Sequence, residues 1–424
     1  MNIRLRLTLM NFLQYAVWGA YLTSMGTYLA EAGLASKIGL FYACQGIVSI
    51  FMPAVMGIIA DRYIQAQRLL GLCHALAAIF MLSAGYYGLQ AGMNPDFATL
   101  FTLYTLSVAF YMPTIALSNS VAYTVLRNAG YDTVKAFPPI RVFGTVGFIC
   151  AMLFVDYIGV QQNAFQFITS GSLGVVLALY AFTLPKCAID RTGERKSMAE
   201  ALGLKAFALF KQKKMAIFFI FSMLLGVSLQ ITNGFANPFI TCFSDIPEYQ
   251  NTFGANHANA LISLSQVSET LCILLIPFFL KRFGIKRVML IAMFAWVLRF
   301  GLFGAGNPGS GVWMLILSMI VYGVAFDFFN ISGSLFVDSE TDPNIRSSAQ
   351  GLFMLMTNGI GATIGTLGAQ AVVNRYVFSQ PAGVEQVAGW STAWYIFAAY
   401  AFVVAVLFAL IFKYKHNPDA IRKV

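Results

Sequence analysis

The sequence predicts an all-α integral membrane protein with twelve transmembrane helices arranged as two pseudo-symmetric six-helix halves. Of 424 residues, 58% are hydrophobic and only 10% are charged, whereas soluble domains carry about 25% charged residues. Apolar stretches long enough to cross a bilayer, which requires about 20 residues each, recur along the whole chain. One long basic interruption after the sixth stretch separates two sets of six.

The predicted helices follow one another with short loops, except at that interruption. They cover residues 7–30, 37–60, 69–92, 97–125, 138–158, 163–184, 215–242, 257–280, 286–306, 311–337, 346–374 and 390–413. Arg4 and Arg6 precede the first stretch, but this stretch is longer than the apolar core of a signal peptide. We therefore expect it to be an uncleaved first helix.

The long interruption is the predicted linker between the halves. Its eight basic residues are Lys186, Arg191, Arg195, Lys196, Lys205, Lys211, Lys213 and Lys214. Within it, Ala201–Phe210 has the apolar spacing of a helix that lies on a membrane surface. The predicted domains are thus an N-terminal half (1–184), a cytoplasmic basic linker with an interfacial helix (185–214) and a C-terminal half (215–424).

The distribution of Lys and Arg predicts the orientation in the membrane. Lys37 and Arg375 fall on one side, Arg141 and Arg299 fall within the bilayer, and every other basic residue falls on the side of the termini. Because basic loops are retained inside the cell, both termini should be cytoplasmic. The net charge of +10 follows from this rule, so we expect no nucleic-acid partner.

The two halves also resemble each other in sequence. The fourth predicted helix contains Val-Ala-Phe-Tyr at Val108–Tyr111, and the tenth contains Val-Ala-Phe-Asp at Val324–Asp327. Related halves are typical of secondary transporters, whose substrate site lies near the bilayer midplane where the repeats meet. We therefore expect alternating access around a central site.

The loop after the second helix resembles the cytoplasmic signature of the major facilitator superfamily. It contains Gly57, the pair Asp61 and Arg62, and Arg68. A degenerate counterpart, Lys281–Arg287, lies between the eighth and ninth helices. We expect Asp61 to pair with the arginines and with helix ends, as a latch that favours one conformation; the alternative is a plain basic cytoplasmic loop.

Longer segments resemble the nucleoside:proton symporter family of bacterial inner membranes. The segments are Phe137–Phe148, Met215–Gly226, Leu229–Asn233, Ser265–Glu269 and Tyr322–Ser334. The resemblance covers nearly the whole chain and is weakest in the linker and in the loops near residues 245–257 and 379–389. It implies a major facilitator fold, proton-coupled nucleoside import and an inner-membrane location.

Polar and aromatic residues within the apolar stretches share helix faces. Placing such residues in hydrocarbon costs free energy, roughly 2.5 kcal/mol or more for a charged side chain. Each of them therefore needs an explanation. The stripes are Arg141, Thr145 and Phe148 on the fifth helix, Gln230 and Asn233 on the seventh, Gln266 and Glu269 on the eighth, and Tyr322 and Phe326 on the tenth. All nine are candidate substrate-binding residues.

The chemistry of this set favours a nucleoside. Amides and a carboxylate suit the vicinal hydroxyls of a ribose, and aromatic rings suit a flat heterocycle by stacking. Arg141 and Thr145 are suited to the carbonyl oxygens of the base. The alternatives are hydrogen bonds between helices for the amides and Thr145, and simple helix packing for Phe148, Phe326 and Tyr322.

Asp327 and Glu269 are the candidate proton-coupling residues, because burial favours the protonated form of a carboxyl group. The alternative for either one is a fixed ion pair with Arg141 or Arg299. Arg299 itself we interpret as structural, and His74 on the third helix as a packed, hydrogen-bonded histidine in preference to a proton relay.

The sequence contains no nucleotide-binding phosphate loop, metal-ligand cluster or catalytic triad. We therefore predict that the protein is not an enzyme, has no cofactor and is driven by the proton gradient. The expected partners are the bilayer, a proton and a nucleoside of the uridine, adenosine or xanthosine type, bound by a monomer. The alternatives are transport of another small polar solute such as a sugar, or multidrug efflux.

Overall fold

The computed structural model describes residues 2–189, 204–342 and 345–414, in which all regular secondary structure is helical. The chain separates into two compact units, Met1–Leu202 and Gly203–Val424. The boundary falls inside the predicted basic linker. Arg191, Arg195, Lys196 and Ala201–Gly203 of that linker lie outside the described residues.

The N-terminal unit contains seven described α-helices. They are α1 (Ile3–Gly19), α2 (Met25–Leu29), α3 (Ile38–Arg62), α4 (Ala66–Ala91), α5 (Phe97–Asn128), α6 (Thr133–Tyr157) and α7 (Phe165–Ala181). A π-helical turn (Ala30–Leu34) and a 3-10 turn (Ala35–Lys37) connect α2 to α3. The first predicted transmembrane helix is therefore interrupted at residues 20–24, and the next five are each a single helix.

The C-terminal unit contains nine described α-helices. They are α8 (Lys213–Leu229), α9 (Ile231–Thr241), α10 (Phe253–Asn256), α11 (Ala258–Phe283), α12 (Ile285–Ala305), α13 (Val312–Glu340), α14 (Arg346–Met354), α15 (Ala362–Tyr376) and α16 (Val384–Ile411). The seventh predicted transmembrane helix is interrupted at Gln230, between α8 and α9. The eleventh runs from α14 to α15 through the π-helical segment Leu355–Gly361.

The helices have the length and surface of a protein that spans a bilayer. Among the described residues, ten helical segments are long and apolar enough to cross it. The first and sixth predicted spans are represented by the shorter helices α1 and α7, of 17 residues each. Large apolar side chains point outward, with Leu274 75% and Leu179 67% exposed, which suits contact with lipid rather than water.

The same pattern of helix packing occurs within each of the two units. In the N-terminal unit α1 packs on α6, α4 on α5 and α7, and α3 on α5. In the C-terminal unit α8 packs on the π-helical segment and α15, α12 on α13 and α16, and α11 on α13. Each helix pair in one half has an equivalent pair at the same positions in the other half. The two halves therefore share one packing pattern, as the short Val-Ala-Phe match predicts.

Glycines allow the first helix of each unit to approach the fifth transmembrane span of that unit closely. These fifth spans are α6 in the N-terminal unit and the span that contains Leu355–Gly361 in the C-terminal unit. A Cβ atom on Gly19 would collide with the backbone of Phe148, and one on Gly226 would collide with the backbone of Thr357. Gly361 and Gly365, which form a Gly-x-x-x-Gly pattern, lie against the backbone of Met223 and Val227. Only a residue without a side chain permits this separation.

The described part of the linker forms a 3-10 helix, Leu204–Lys211, where the sequence predicts a helix at residues 201–210. Ala206 and Leu209, three residues apart, are buried against α8 and α14, while Leu204 and Phe207 are exposed. The spacing that predicts an amphipathic helix therefore also fits a 3-10 turn, which eclipses residues three apart.

Candidate functional site

The predicted residues of the N-terminal unit lie on α6 and face the aromatic residues of α1. The guanidinium carbon of Arg141 lies 3.9 Å from the ring centroid of Tyr15. The ring of Phe148 meets Trp18 edge-on, with centroids 6.3 Å apart. Arg141 and Thr145 are partly exposed and Phe148 is buried. A cation held over an aromatic face keeps its hydrogen-bond donors available for a ligand.

Trp18 and Gln45 are residues of this region that the sequence interpretation missed. The indole nitrogen of Trp18 donates to Oε1 of Gln45 at 3.3 Å, and Nε2 of Gln45 donates to the hydroxyl of Tyr104 at 2.6 Å. The Trp18 ring also lies 6.1 Å from the ring of Tyr111. An amide within the apolar α3 is the signal that could have identified this network.

His74 is part of a second buried network in the same unit. Its Nε2 lies 2.7 Å from Oε1 of Gln14, and Nε2 of Gln14 donates to Oγ1 of Thr114 at 2.7 Å. The Tyr111 hydroxyl donates to the backbone carbonyl of Gln14 at 2.7 Å. His74 is fully buried, so the predicted packed and hydrogen-bonded histidine is what the structure contains.

The two amides of the seventh span lie at its interruption. Gln230 has φ −95° and ψ −11° and separates α8 from α9, and Nδ2 of Asn233 donates to its Oε1. Both residues are partly exposed. This hydrogen bond lies within one span, so it does not supply the contact between helices that was the alternative interpretation.

Gln266 and Glu269 lie one turn apart on α11, and both are partly exposed. The Glu269 carboxylate lies within electrostatic reach of Tyr322 and Asp327 on α13. The eighth and tenth spans therefore lie close together at these residues. Sequence spacing alone relates residues only within one helix.

Tyr322 and Phe326 form an aromatic stack on α13. Their ring centroids are 5.5 Å apart and their planes differ by 15°. Trp296 of α12 meets Tyr322 edge-on at 6.0 Å. Tyr322 is buried and Phe326 is partly exposed, so Phe326 is the more accessible member of the stack.

Asp327 is a buried carboxylate. It is 6% exposed, and among the described residues its Oδ2 has no hydrogen-bond partner. Within the same part of the chain, Arg299 of the same unit forms no ion pair with Asp327. The alternative in which Arg299 fixes Asp327 as an ion pair is therefore not what the structure shows.

The predicted latch residues lie at the junction of α3 and α4. Gly57 is in α3, Asp61 and Arg62 are in its last turn, and Arg68 is in the first turn of α4. The three charged residues are exposed, and Asp61 forms no ion pair with a residue in the described ranges. Pairing of Asp61 with the arginines stays a prediction.

The chain is similar over almost its whole length to a known family and to known proteins. The profile of the nucleoside H+ symporter family matches residues 1–417. The xanthosine permease of Escherichia coli (strain K12) is 47% identical over 425 residues, which cover 100% of this chain and 99% of the relative. The nucleoside permease NupG of the same strain is 45% identical over 98% of this chain and 97% of its own.

Solved structures give the same relationship at the level of the fold. The crystal structure of the nucleoside transporter NupG superimposes with a TM-score of 0.89 at 45% identity, and covers 98% of this chain and 100% of that chain. A D-xylose–proton symporter superimposes with a TM-score of 0.69 at 14% identity and covers 99% of both chains. At that identity the similarity concerns the fold alone.

Proposed function

Because the chain belongs to the nucleoside H+ symporter family, we propose that it imports nucleosides together with protons by alternating access. Its relatives are permeases, and the fold is the major facilitator fold of twelve transmembrane helices. We propose as substrates nucleosides of the uridine, adenosine or xanthosine type, with the proton gradient as the driving force.

The observation that carries this proposal is the aromatic stack of Tyr322 and Phe326 beside two carboxylates, Glu269 and Asp327. A stack with one accessible ring suits the flat base of a nucleoside, and base stacking contributes about 1–3 kcal/mol in nucleic-acid sites. A neighbouring carboxylate accepts hydrogen bonds from sugar hydroxyls. One group of residues thus offers surfaces for both parts of a nucleoside.

The remaining candidate residues complete the proposed substrate contacts. Gln230, Asn233 and Gln266 supply donors and acceptors for the ribose, and Arg141, Thr145 and Phe148 supply contacts for the base. The junction residues Gly57, Asp61, Arg62 and Arg68 are the proposed latch.

We assign proton coupling to Asp327, with Glu269 as the second candidate. Asp327 is the more buried of the two. A site that binds a proton before it releases substrate inward uses the membrane potential, which supplies roughly 2.3 kcal/mol per charge per 100 mV. One proton therefore supports about 50-fold accumulation of substrate.

Transport in proteoliposomes tests the function. Purified protein should concentrate labelled uridine, adenosine or xanthosine inside vesicles when the outside is more acidic, and a protonophore should abolish the accumulation while counterflow continues. Accumulation that ignores the proton gradient would contradict symport. Inhibition by free ribose as strong as that by uridine would instead favour a sugar transporter.

We propose a location in the bacterial inner membrane, with both termini cytoplasmic and the protein monomeric. The distribution of Lys and Arg supports this orientation. Single cysteines introduced at Lys37 and Arg375 in a cysteine-free variant should react with a membrane-impermeant maleimide in whole cells, whereas one at Lys213 should not. The reverse pattern would invert the orientation.

A further inference from the structure

Arg299 is a buried cation within a transmembrane helix, where charge is costly. It lies on α12 and is 2% exposed. In the described residues it forms no ion pair with a carboxylate. An uncharged side chain of similar length would fill the same space at a lower cost, so packing alone does not explain this residue.

The polar contacts of Arg299 join α12 to α13 one turn before Tyr322. Its Nη1 donates to the backbone carbonyl of Ser318 at 2.6 Å, and Oγ of Ser318 donates to the carbonyl of Arg299 at 3.0 Å. In an α-helix the carbonyl of residue 318 also accepts the N–H of residue 322. Arg299 is therefore bonded to the backbone group that holds Tyr322 in its helical turn.

The guanidinium of Arg299 also lies against the ring of Tyr322. Its central carbon is 4.6 Å from the Tyr322 centroid and 5.2 Å from that of Phe303. Trp296 meets Tyr322 edge-on and Phe326 stacks in parallel with it. Since the arginine, the tryptophan and the phenylalanine all contact the Tyr322 ring, its rotation would break several contacts at once.

We propose that Arg299 is a positioning residue for the stack of Tyr322 and Phe326, and that it sets nucleoside affinity through that stack without touching the substrate. This inference rests on the proposed function, in which Phe326 stacks on the base. The positively charged group behind Tyr322 holds the ring by a cation–π contact, which is stronger when it is desolvated.

A double-mutant cycle of Arg299→Met and Tyr322→Leu tests the positioning role. Direct binding of uridine to purified protein should weaken about tenfold on Arg299→Met. In the Tyr322→Leu background the same change should alter the uridine Kd less than twofold, because the ring that Arg299 positions is already gone. Arg299→Lys keeps the charge but loses the planar guanidinium, so its Kd should lie between those of wild type and Arg299→Met.

Phe303→Leu is the matched control, since it removes the other ring that Arg299 contacts. It should lower the thermal unfolding midpoint and leave the uridine Kd unchanged. An unchanged Kd for Arg299→Met and Arg299→Lys, with a lowered midpoint, would overturn the inference and leave Arg299 purely structural. Equal losses of affinity in both backgrounds would also overturn it. Failure of the wild type to bind uridine, adenosine or xanthosine would overturn the proposed function itself, and this inference with it.

Discussion

Tyr322 and Phe326 lie one helical turn apart on α13 with their rings nearly parallel, 5.5 Å apart at 15°. Tyr322 is 6% exposed, whereas Phe326 is partly exposed. The two rings therefore have different surroundings, since Tyr322 is held in the core and Phe326 is more accessible. This asymmetry makes Phe326 the better position at which to test base stacking.

Replacing Phe326 by Ala should weaken nucleoside binding by about 1–3 kcal/mol, because the stacking surface is lost. Phe326→Tyr should cost much less, since a ring of the same outline keeps the face. Losses for uridine and adenosine should be similar, because every base has a π-face. Direct binding to purified protein measures this, with free ribose as a competitor that should have no effect where uridine saturates. An unaltered uridine affinity in Phe326→Ala would return this ring to a packing role.

Gln230→Ala and Asn233→Ala should each weaken uridine and adenosine alike, because the two ligands share the ribose that these amides are proposed to bind. Since Asn233 donates to Gln230, the double variant should cost little more than either single variant. The affinities of both nucleosides for the two single variants and the double variant measure the coupling between Gln230 and Asn233. Sharp discrimination between the two bases would place the amides at the base end of the ligand.

Asp327→Asn should abolish proton-driven accumulation, because the amide keeps the shape of the side chain and cannot exchange a proton. Binding and counterflow should survive better, since neither requires net proton movement. Uptake into proteoliposomes with and without an imposed pH gradient separates these activities, and Glu269→Gln is the matched variant. Wild-type accumulation by Asp327→Asn would transfer the coupling role to Glu269.

His74→Ala should lower the stability of the protein by about 1–3 kcal/mol, because the buried Oε1 of Gln14 loses its partner. The pH dependence of transport should not change. Cys73→Ala, a small change at the adjacent buried position, is the control for thermal unfolding. Loss of proton-driven accumulation without a change in the unfolding midpoint would instead make His74 a proton relay.

Asp96→Ala should destabilise α5 most strongly at neutral pH. The Asp96 carboxylate accepts a hydrogen bond from the backbone N–H of Thr99, and this bond lowers the pKa of the exposed Asp96 below its ordinary value. A carboxylate with a lowered folded-state pKa stabilises the protein above its unfolded pKa of about 3.9 and loses that contribution as the pH falls through the folded-state pKa.

In detergent, the thermal unfolding midpoint of Asp96→Ala should therefore lie below that of wild type at pH 7, and this difference should become smaller below about pH 4. Asp96→Asn keeps an oxygen acceptor, so its midpoint should differ less from that of wild type than the midpoint of Asp96→Ala does at pH 7. The stability that this neutral cap contributes should be nearly independent of pH. A gap for Asp96→Ala that is the same at pH 7 and pH 3 would show that the charge of the cap is unimportant.

The sequence predicts most of this architecture because a bilayer restricts the possible structures. Each spanning segment must be helical and apolar over a fixed length, so the predicted spans agree with the helices within a few residues at most ends. The predicted 390–413 helix is an exception, since α16 already begins at Val384. The pattern of apolar residues does not predict the interruption at Gln230 or the π-helical segment Leu355–Gly361.

By itself, the sequence determined the two sets of six spans, the family and the stripes of polar residues, because spacing of three or four residues defines neighbours within a helix. Only the tertiary structure decided which stripes meet. Arg141 faces Tyr15, Arg299 lies against Tyr322, and among the described residues Asp327 does not have Arg299 as an ion-pair partner. These contacts depend on how helices cross and on the side-chain rotamers at each crossing, which local spacing does not specify.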